Sequence, residues 1–201
     1  MFISLDGIDG AGKSTQIQLL KSWLTERGHQ VACFRDPGAT RLGESIREIL
    51  LHREDIPLSM TAEMLLYMSA RAQLVEEQIK PALASGMTVI CDRFLLANVV
   101  YQGSAGGLNI DALWSIGHVA TAGLVPDVTV VLDLDAELAA QRLGASQDRL
   151  EKRGLPYFRA VRQGFLDQLP KAGRHFFVAD ASQSIELVHQ SIRDYVLALG
   201  A

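Results

Sequence analysis

The sequence predicts an α/β fold of three layers, with a five-stranded parallel sheet flanked on both faces by helices. Two observations carry that expectation. Short apolar runs alternate with longer helix-period patterns along the 201 residues. The first run is also followed at once by a glycine-rich turn and then an apolar helix stripe. Residues 1–201 are read as one domain, long enough for a sizeable core. A hydrophobic share of 48% with 21% charged residues is ordinary for a globular chain. The net charge of −4 gives no basic field to draw nucleic acid or an anionic membrane. No apolar run reaches the roughly 18 residues of a membrane span. The N-terminus enters a strand without a signal-peptide pattern. The expectation is therefore a cytoplasmic protein with no membrane or nucleic-acid partner. Cys33 and Cys91 lie in apolar runs and are expected as buried, reduced thiols.

Phe2–Leu5 reads as the first strand. Gly7-Ile8-Asp9-Gly10-Ala11-Gly12-Lys13-Ser14 then fits G-x-x-x-x-G-K-[ST], the loop that wraps nucleotide phosphates, with Thr15 beside it. Glycines let successive backbone N–H groups turn inward, and the following helix N-terminus adds partial positive charge there. Lys13 would reach the β- and γ-phosphates, and the Ser14 hydroxyl would ligate Mg²⁺. Lys13–Arg27 is the helix, with Ile17, Leu20 and Leu24 on its stripe.

Gln30–Phe34 is the second strand, ending in Arg35-Asp36-Pro37-Gly38, a turn signal at its carboxyl end. Ligands in such folds sit at the carboxyl ends of strands, so polar residues there are site candidates. On the next helix, Arg41–Leu51, Arg47 can lean over the sheet edge. A solvated arginine fits the same spacing equally well. A long helix over Thr61–Ala84 puts Tyr67 and Arg71 on one face, at i and i+4. Such a pair can stack a flat base and bond its carbonyl edge, or be a core tyrosine with a surface arginine.

Thr88–Cys91 is the third strand. Asp92 just past it suits a carboxylate that assists Mg²⁺, usually through water, and Arg93 can grip a phosphate. Asn98, Tyr101 and Gln102 follow on a short helix. Asparagine carries the donor and acceptor that a pyrimidine imide edge needs. Gly103–Gly107 and Gly144–Gln147 read as flexible loops, and a helix over Ile110–Ala122 lies between them. Val128–Leu132 is the fourth strand, after which Asp135 reads best as the cap of a helix over Ala136–Leu143. Arg142, Arg149, Arg153, Arg159 and Arg162 follow closely, either a solvated face or a lid over about 144–155 carrying transition-state arginines. A helix over Tyr157–Leu169, a strand at His175–Val178 and a helix striped by Ile185, Val188, Ile192, Tyr195 and Leu199 complete the chain.

Taken together, the phosphate loop with Asp9, Arg35–Gly38, Ser69-Ala70-Arg71-Ala72-Gln73, Asp92-Arg93-Phe94 and Tyr101-Gln102-Gly103 resemble the thymidylate kinase family of phosphate-loop proteins. The resemblance runs from Phe2 to about Leu169. It implies transfer of the γ-phosphate of MgATP to thymidine monophosphate. Catalytic roles would fall to Asp9, Lys13, Arg93 and a lid arginine. Arg47 and Arg93 would hold the acceptor phosphate, with Asp9 approaching the acceptor sugar and phosphate. Tyr67 would stack on thymine and Arg71 bond its carbonyl. Asn98 would face the base edge, with Gln102 beside it, and Tyr101 would pack on the deoxyribose. Asp148-Arg149-Leu150-Glu151 resembles the lid of the bacterial subgroup, which makes Arg149 the first candidate and Arg153 the second. Gly10 stands where other members carry a loop arginine. A homodimer is implied by the family alone. Several positions depart from the usual pattern: Asp6 and Asp36 for glutamate, Ala39 for glycine, Tyr67 for phenylalanine, Phe94 for tyrosine and Ala97 for serine.

Overall fold

A computed structural model describes residues 1–142 and 153–200. Strands β1 (Phe2–Asp6), β2 (Val31–Arg35), β3 (Thr88–Asp92), β4 (Val128–Asp133) and β5 (His175–Asp180) form one sheet in the order β2-β3-β1-β4-β5. Every pairing is parallel. Alternation along the strands sends side chains to opposite faces. Phe2, Val89 and Cys91 accordingly share a cluster with Leu74, Val75 and Ile79. Ile3, Leu5 and Ile90 share another with Ile17, Leu20 and Leu24. The sheet is thus covered on both faces, as the sequence predicts.

Four strands run one or two residues past their apolar stretch, each ending on an aspartate: Asp6, Asp92, Asp133 and Asp180. The reason is the ladder, which continues to Leu5↔Asp92 and Asp133↔Asp180 after the hydrophobic pattern stops. Acids are thereby delivered to the carboxyl edge by backbone pairing.

The helices are α1 (Lys13–Glu26), α2 (Arg41–Leu51), α3 (Met60–Leu74), α4 (Lys80–Ala84), α5 (Leu95–Asn98), α6 (Ile110–Ala120), α7 (Ala136–Arg142), α8 (Leu155–Gln168) and α9 (Ile185–Ala198). Helix caps follow the sequence chemistry. Thr40, Ser59, Asn109 and Ser184 accept from the backbone N–H three residues on. Asp135 accepts from Glu137 N at 3.0 Å, the capping role expected of it.

Three expectations need correction. The single helix over Thr61–Ala84 is divided by a π-helical turn at Val75–Ile79. Pro81 follows at the start of α4, where it lacks an N–H and would crowd the carbonyl four residues back, so the turn widens. Gly103 and Ser104 belong to a second π-helical turn, Val99–Ser104, rather than to a flexible loop. A Cβ at Gly103 would lie 2.8 Å from Leu113 Cδ1, so a larger residue there would require that side chain to move. Cys91 is buried as expected, but Cys33 is half-buried, because β2 is an edge strand. The Gly144–Gln147 loop and most of the lid at 144–155 lie outside the described residues.

Within β1, Asp6 is fully buried and accepts from the Ser4 hydroxyl at 2.6 Å, while its Oδ1 has no partner. Burial pushes its carboxyl up to about 6, against the pull of Ser4, Arg93 and Lys13. A folded-state value above the ordinary 3.8 means the folded chain holds this proton more tightly than the unfolded one. The contribution of Asp6 to stability is therefore fullest below pH 4 and declines as pH rises through about 6, by about 3 kcal/mol in all. Asp6→Asn is expected to remove that decline. Urea melts of both proteins between pH 4 and pH 8 check it: an unchanged pH slope would refute the assignment.

Candidate active site

The phosphate loop joins β1 to α1 and fixes two of its glycines by geometry. Gly7 has φ +137°, and a Cβ there would stand 2.6 Å from Leu132 O. At Gly10, φ is +82° and a Cβ would stand 2.8 Å from Ala139 O. A side chain at the position where other members of the resembled family carry an arginine would therefore require the backbone at Ala139 to shift in this chain. Lys13 folds back over the loop, with Nζ donating to Gly7 O at 3.1 Å and Ile8 O at 2.9 Å and standing 3.6 Å from Asp9. Burial and the nearby Arg93 lower its ammonium from the ordinary value. Ser14 and Thr15 are exposed at the mouth.

A cleft of about 540 Å³ opens beside this loop. It is lined by Asp9, Gly10, Gly12, Lys13, Ser14 and Thr15 on one side. On the other stand Arg47, Tyr67, Arg71, Asn98, Tyr101 and Gln102, with Asp92 and Arg93 between the two groups. Gly7, Ile8 and Ala11 complete the loop behind that lining; Gly7 O and Ile8 O accept from Lys13.

At the centre is a triad of polar groups. Arg93 donates through Nη2 to Asp9 Oδ1 and, at 3.1 Å, to the Tyr101 hydroxyl, and through Nη1 to Gly7 O at 3.0 Å. The Tyr101 hydroxyl donates to Asp9 Oδ2 at 3.0 Å. Arg93 adopts φ +67°, an unusual backbone state for a non-glycine residue that turns the chain back toward the loop. Burial opposes ionisation of Asp9, but Arg93 and Lys13 hold its carboxyl well below the usual range. Burial would also lower the Arg93 guanidinium; Asp9 overcomes it and holds it well above the ordinary value. The same burial pushes the Tyr101 phenol well up, so it stays a neutral donor.

The base-side wall is a second network. Arg71 is 1% exposed and pairs with Asp36 Oδ2 at 2.6 Å. The shorter acid at position 36 therefore still reaches its partner. Burial pushes the Asp36 carboxyl up, and Arg71 pulls it back. Arg71 also donates to Asn98 Oδ1 at 2.9 Å and Phe94 O at 3.3 Å. Phe94 itself packs edge-on against Phe2, ring centroids 5.0 Å apart. Ala97 lines the cleft, and Ala39 takes φ 60°, a left-handed state that glycine would adopt at less cost. Arg47 is half-buried and donates to Pro37 O at 3.2 Å, so the solvated alternative does not hold.

For Mg²⁺, the donor set fits. Asp92 Oδ1 is buried without a hydrogen-bond partner, and the Ser14 hydroxyl lines the same cleft. Both are hard oxygens, which is what Mg²⁺ takes alongside phosphate and water.

The arginines after β4 separate by their partners. Arg142 reaches Ala181 O at 3.3 Å and Gly10 O at 3.5 Å and lines the cleft, a position that spacing alone does not single out. Arg153 donates to Glu63 Oε2 at 2.7 Å and to the Tyr157 hydroxyl at 2.8 Å. Arg159 pairs with Glu137, and Arg162 with Asp133 and Asp135. Arg149 lies outside the described residues. Sequence reasoning also passed over Glu63, 2% exposed, which accepts from Gln102 Nε2 at 2.8 Å. The available signal was its place one turn before Tyr67 on the same helical stripe.

A phosphate loop facing an arginine-rich acceptor wall across one cleft defines a phosphate-loop kinase of small phosphorylated metabolites. The sequence model of the family Thymidylate kinase matches residues 5–192, past the Leu169 limit read from the motifs. Among curated relatives, the thymidylate kinase of Rhodopirellula baltica is 49% identical over 190 residues, covering 94% of this chain and 77% of that one. That of Caldanaerobacter subterraneus subsp. tengcongensis is 45% identical, covering 95% and 92%. The crystal structure of thymidylate kinase from Ehrlichia chaffeensis superposes with a TM-score of 0.78 at 29% identity, covering 98% of each chain. The chain belongs to the thymidylate kinase family.

Proposed function

We propose that this chain transfers the γ-phosphate of MgATP to thymidine monophosphate, giving ADP and thymidine diphosphate, within the cleft just described. The observation that carries the reading is that one continuous cavity holds both the phosphate loop and the Tyr67–Arg71–Asn98 wall. The donor phosphates would lie on the backbone of Gly7–Thr15 with Lys13. The acceptor base would stack on Tyr67, and its sugar would pack against Tyr101. Arg47 and Arg93 would hold its phosphate.

The second pKa of a phosphate monoester is about 6, so the acceptor is already a dianion at neutral pH and needs no strong base. The chemical demand is to hold two anions together and in line. Arg93 sits between the loop and the wall, where it can neutralise both. Asp9 orients it from one side and Gly7 O from another. Ser14 and, through water, Asp92 would hold Mg²⁺, which would supply charge screening at the donor phosphates.

ADP release across a panel of monophosphates tests the reading. Thymidine monophosphate is expected to exceed the cytidine, adenosine and guanosine monophosphates by about a hundredfold or more in kcat/KM, the scale of one or two buried polar mismatches. Equal rates on all four would defeat it. The family resemblance further supports a homodimer. Leu65 on α3 and Val119 on α6 are 50% and 79% exposed, and the two helices touch. No helix among the described residues is long and apolar enough to cross a membrane.

A further inference from the structure

The base-side wall has a direction. Arg71 donates to Asn98 Oδ1 at 2.9 Å; Asn98 Nδ2 donates to Gln102 Oε1 at 2.6 Å; Gln102 Nε2 donates to Glu63 Oε1 at 2.8 Å. All four side chains are at most 2% exposed. A guanidinium can only donate and an ionised carboxylate can only accept, whereas a carboxamide does both. With a pure donor at one end and a pure acceptor at the other, the two amides between them have one satisfied arrangement. Each end is also anchored by an opposite charge: Asp36 holds Arg71 at 2.6 Å, and Arg153 holds Glu63 at 2.7 Å.

We infer that Glu63 is a specificity-determining positioning residue, which, opposite Arg71, locks the polarity of Asn98 so that the wall presents an acceptor beside a donor. The inference rests on the acceptor reading above. Glu63 is absent from the cleft lining, whereas Arg71, Asn98 and Gln102 are part of it, so Glu63 acts through them. Asn98 Oδ1 keeps a second lone pair, and Arg71 has a second Nη2 hydrogen beyond the one given to Phe94 O. A carbonyl next to a ring N–H, the imide edge of thymine or uracil, complements that pair. Cytosine offers a ring nitrogen acceptor next to an amino donor, the inverse pattern. It would set acceptor against acceptor and donor against donor. Without the carboxylate, Arg71 alone would hold Asn98; a turned Asn98 would meet the ring nitrogen of cytosine with its Nδ2, and only Arg71 would still oppose the cytosine amino group.

The discriminating variants are Glu63→Gln and the exchanged pair Glu63→Gln with Gln102→Glu. A glutamine at 63 gives its oxygen to Arg153 and turns its Nε2 toward Gln102, so donors stand at both ends of the relay and one contact within it must be mismatched. In the exchanged pair, a carboxylate at 102 accepts from Asn98 Nδ2 and from the amide at 63, while that amide's oxygen accepts from Arg153. The polarity of Asn98 is thereby restored with every partner retained. Binding of thymidine monophosphate and 2′-deoxycytidine monophosphate would be measured by calorimetry, alongside kcat/KM for each.

The thymidine-to-deoxycytidine preference should fall about tenfold or more in Glu63→Gln, the scale of a buried polar mismatch, and return in the exchanged pair. Unchanged preference in a folded Glu63→Gln protein overturns the relay while leaving the acceptor reading intact. If that variant does not fold, the exchanged pair decides alone. An exchanged pair that lacks the preference, or that does not fold, overturns the inference. A wild-type protein that binds both nucleotides equally overturns relay and acceptor reading together.

Discussion

Arg93→Ala should lower kcat/KM for thymidine monophosphate by about 10³-fold, the scale of removing one preorganised donor from a developing charge. The expectation follows from where the side chain stands. It spans the phosphate loop at Gly7 O, the Asp9 carboxylate and the Tyr101 hydroxyl, in the strip of the cleft between the donor and acceptor groups. Truncation would remove the cation that lets two anions approach, and would also leave Asp9 without its nearest positive partner, adding a third negative charge to the same space. The loss should therefore fall on both turnover and acceptor affinity, while ATP affinity, held by the loop backbone and Lys13, changes less. Arg93→Lys keeps the charge but not the planar fork, so it can serve Asp9 or the phosphate but not both, and should recover only part of the rate. Steady-state kinetics with each substrate varied separately checks this. A loss below tenfold in Arg93→Ala would remove Arg93 from the chemistry.

Such a prediction could be framed from the chain alone because the position was legible. Strand–loop–helix order placed Gly7–Thr15, and the rule that ligands collect at carboxyl strand ends drew attention to Asp92 and Arg93. Local signals of this kind survive folding, since turn chemistry and helix spacing are decided within a few residues. Less legible were partners far apart in sequence. Nothing near Glu63 announces that it will meet Gln102 and Arg153, 39 and 90 residues away. Equally, the spacing of Tyr67 and Arg71 cannot reveal that Asp36 will be buried against Arg71. The hydrophobic pattern likewise ended each strand too early. Apolar runs report burial, whereas the parallel ladder is a backbone property that carries on through Asp6, Asp92 and Asp133. Pro81 was visible in the sequence, yet its effect was a widened turn rather than the end of a helix, because buried contacts of Val75 and Ile79 keep the chain helical.

Arg149→Ala should lower turnover by 10³-fold or more, within the range measured for arginine fingers in phosphate-loop enzymes, about 10³–10⁵. The structure narrows the field around that residue. Gly10 carries no side chain and a Cβ there would meet Ala139 O, so the loop supplies no arginine beside Lys13. Arg153 is committed to Glu63 and Tyr157, Arg159 to Glu137, and Arg162 to Asp133 and Asp135. Arg142 bridges backbone carbonyls at the rim. Recruiting Arg153 to the phosphates would mean breaking an ion pair with a carboxylate that is almost wholly buried, and leaving a charge uncompensated there is costly. Arg149, in the Asp148–Glu151 segment that resembles the bacterial lid, is then the arginine expected at the transferring group. The two candidates separate cleanly in experiment. Arg149→Ala should lose kcat with little change in the KM for either nucleotide, as for a contact made only in the transition state. Arg153→Ala should keep turnover within about tenfold and instead loosen the preference between pyrimidines, because it anchors Glu63. The reverse outcome, with Arg153→Ala the slower enzyme, would transfer the catalytic role to Arg153 and require the Glu63 pair to break in every turnover.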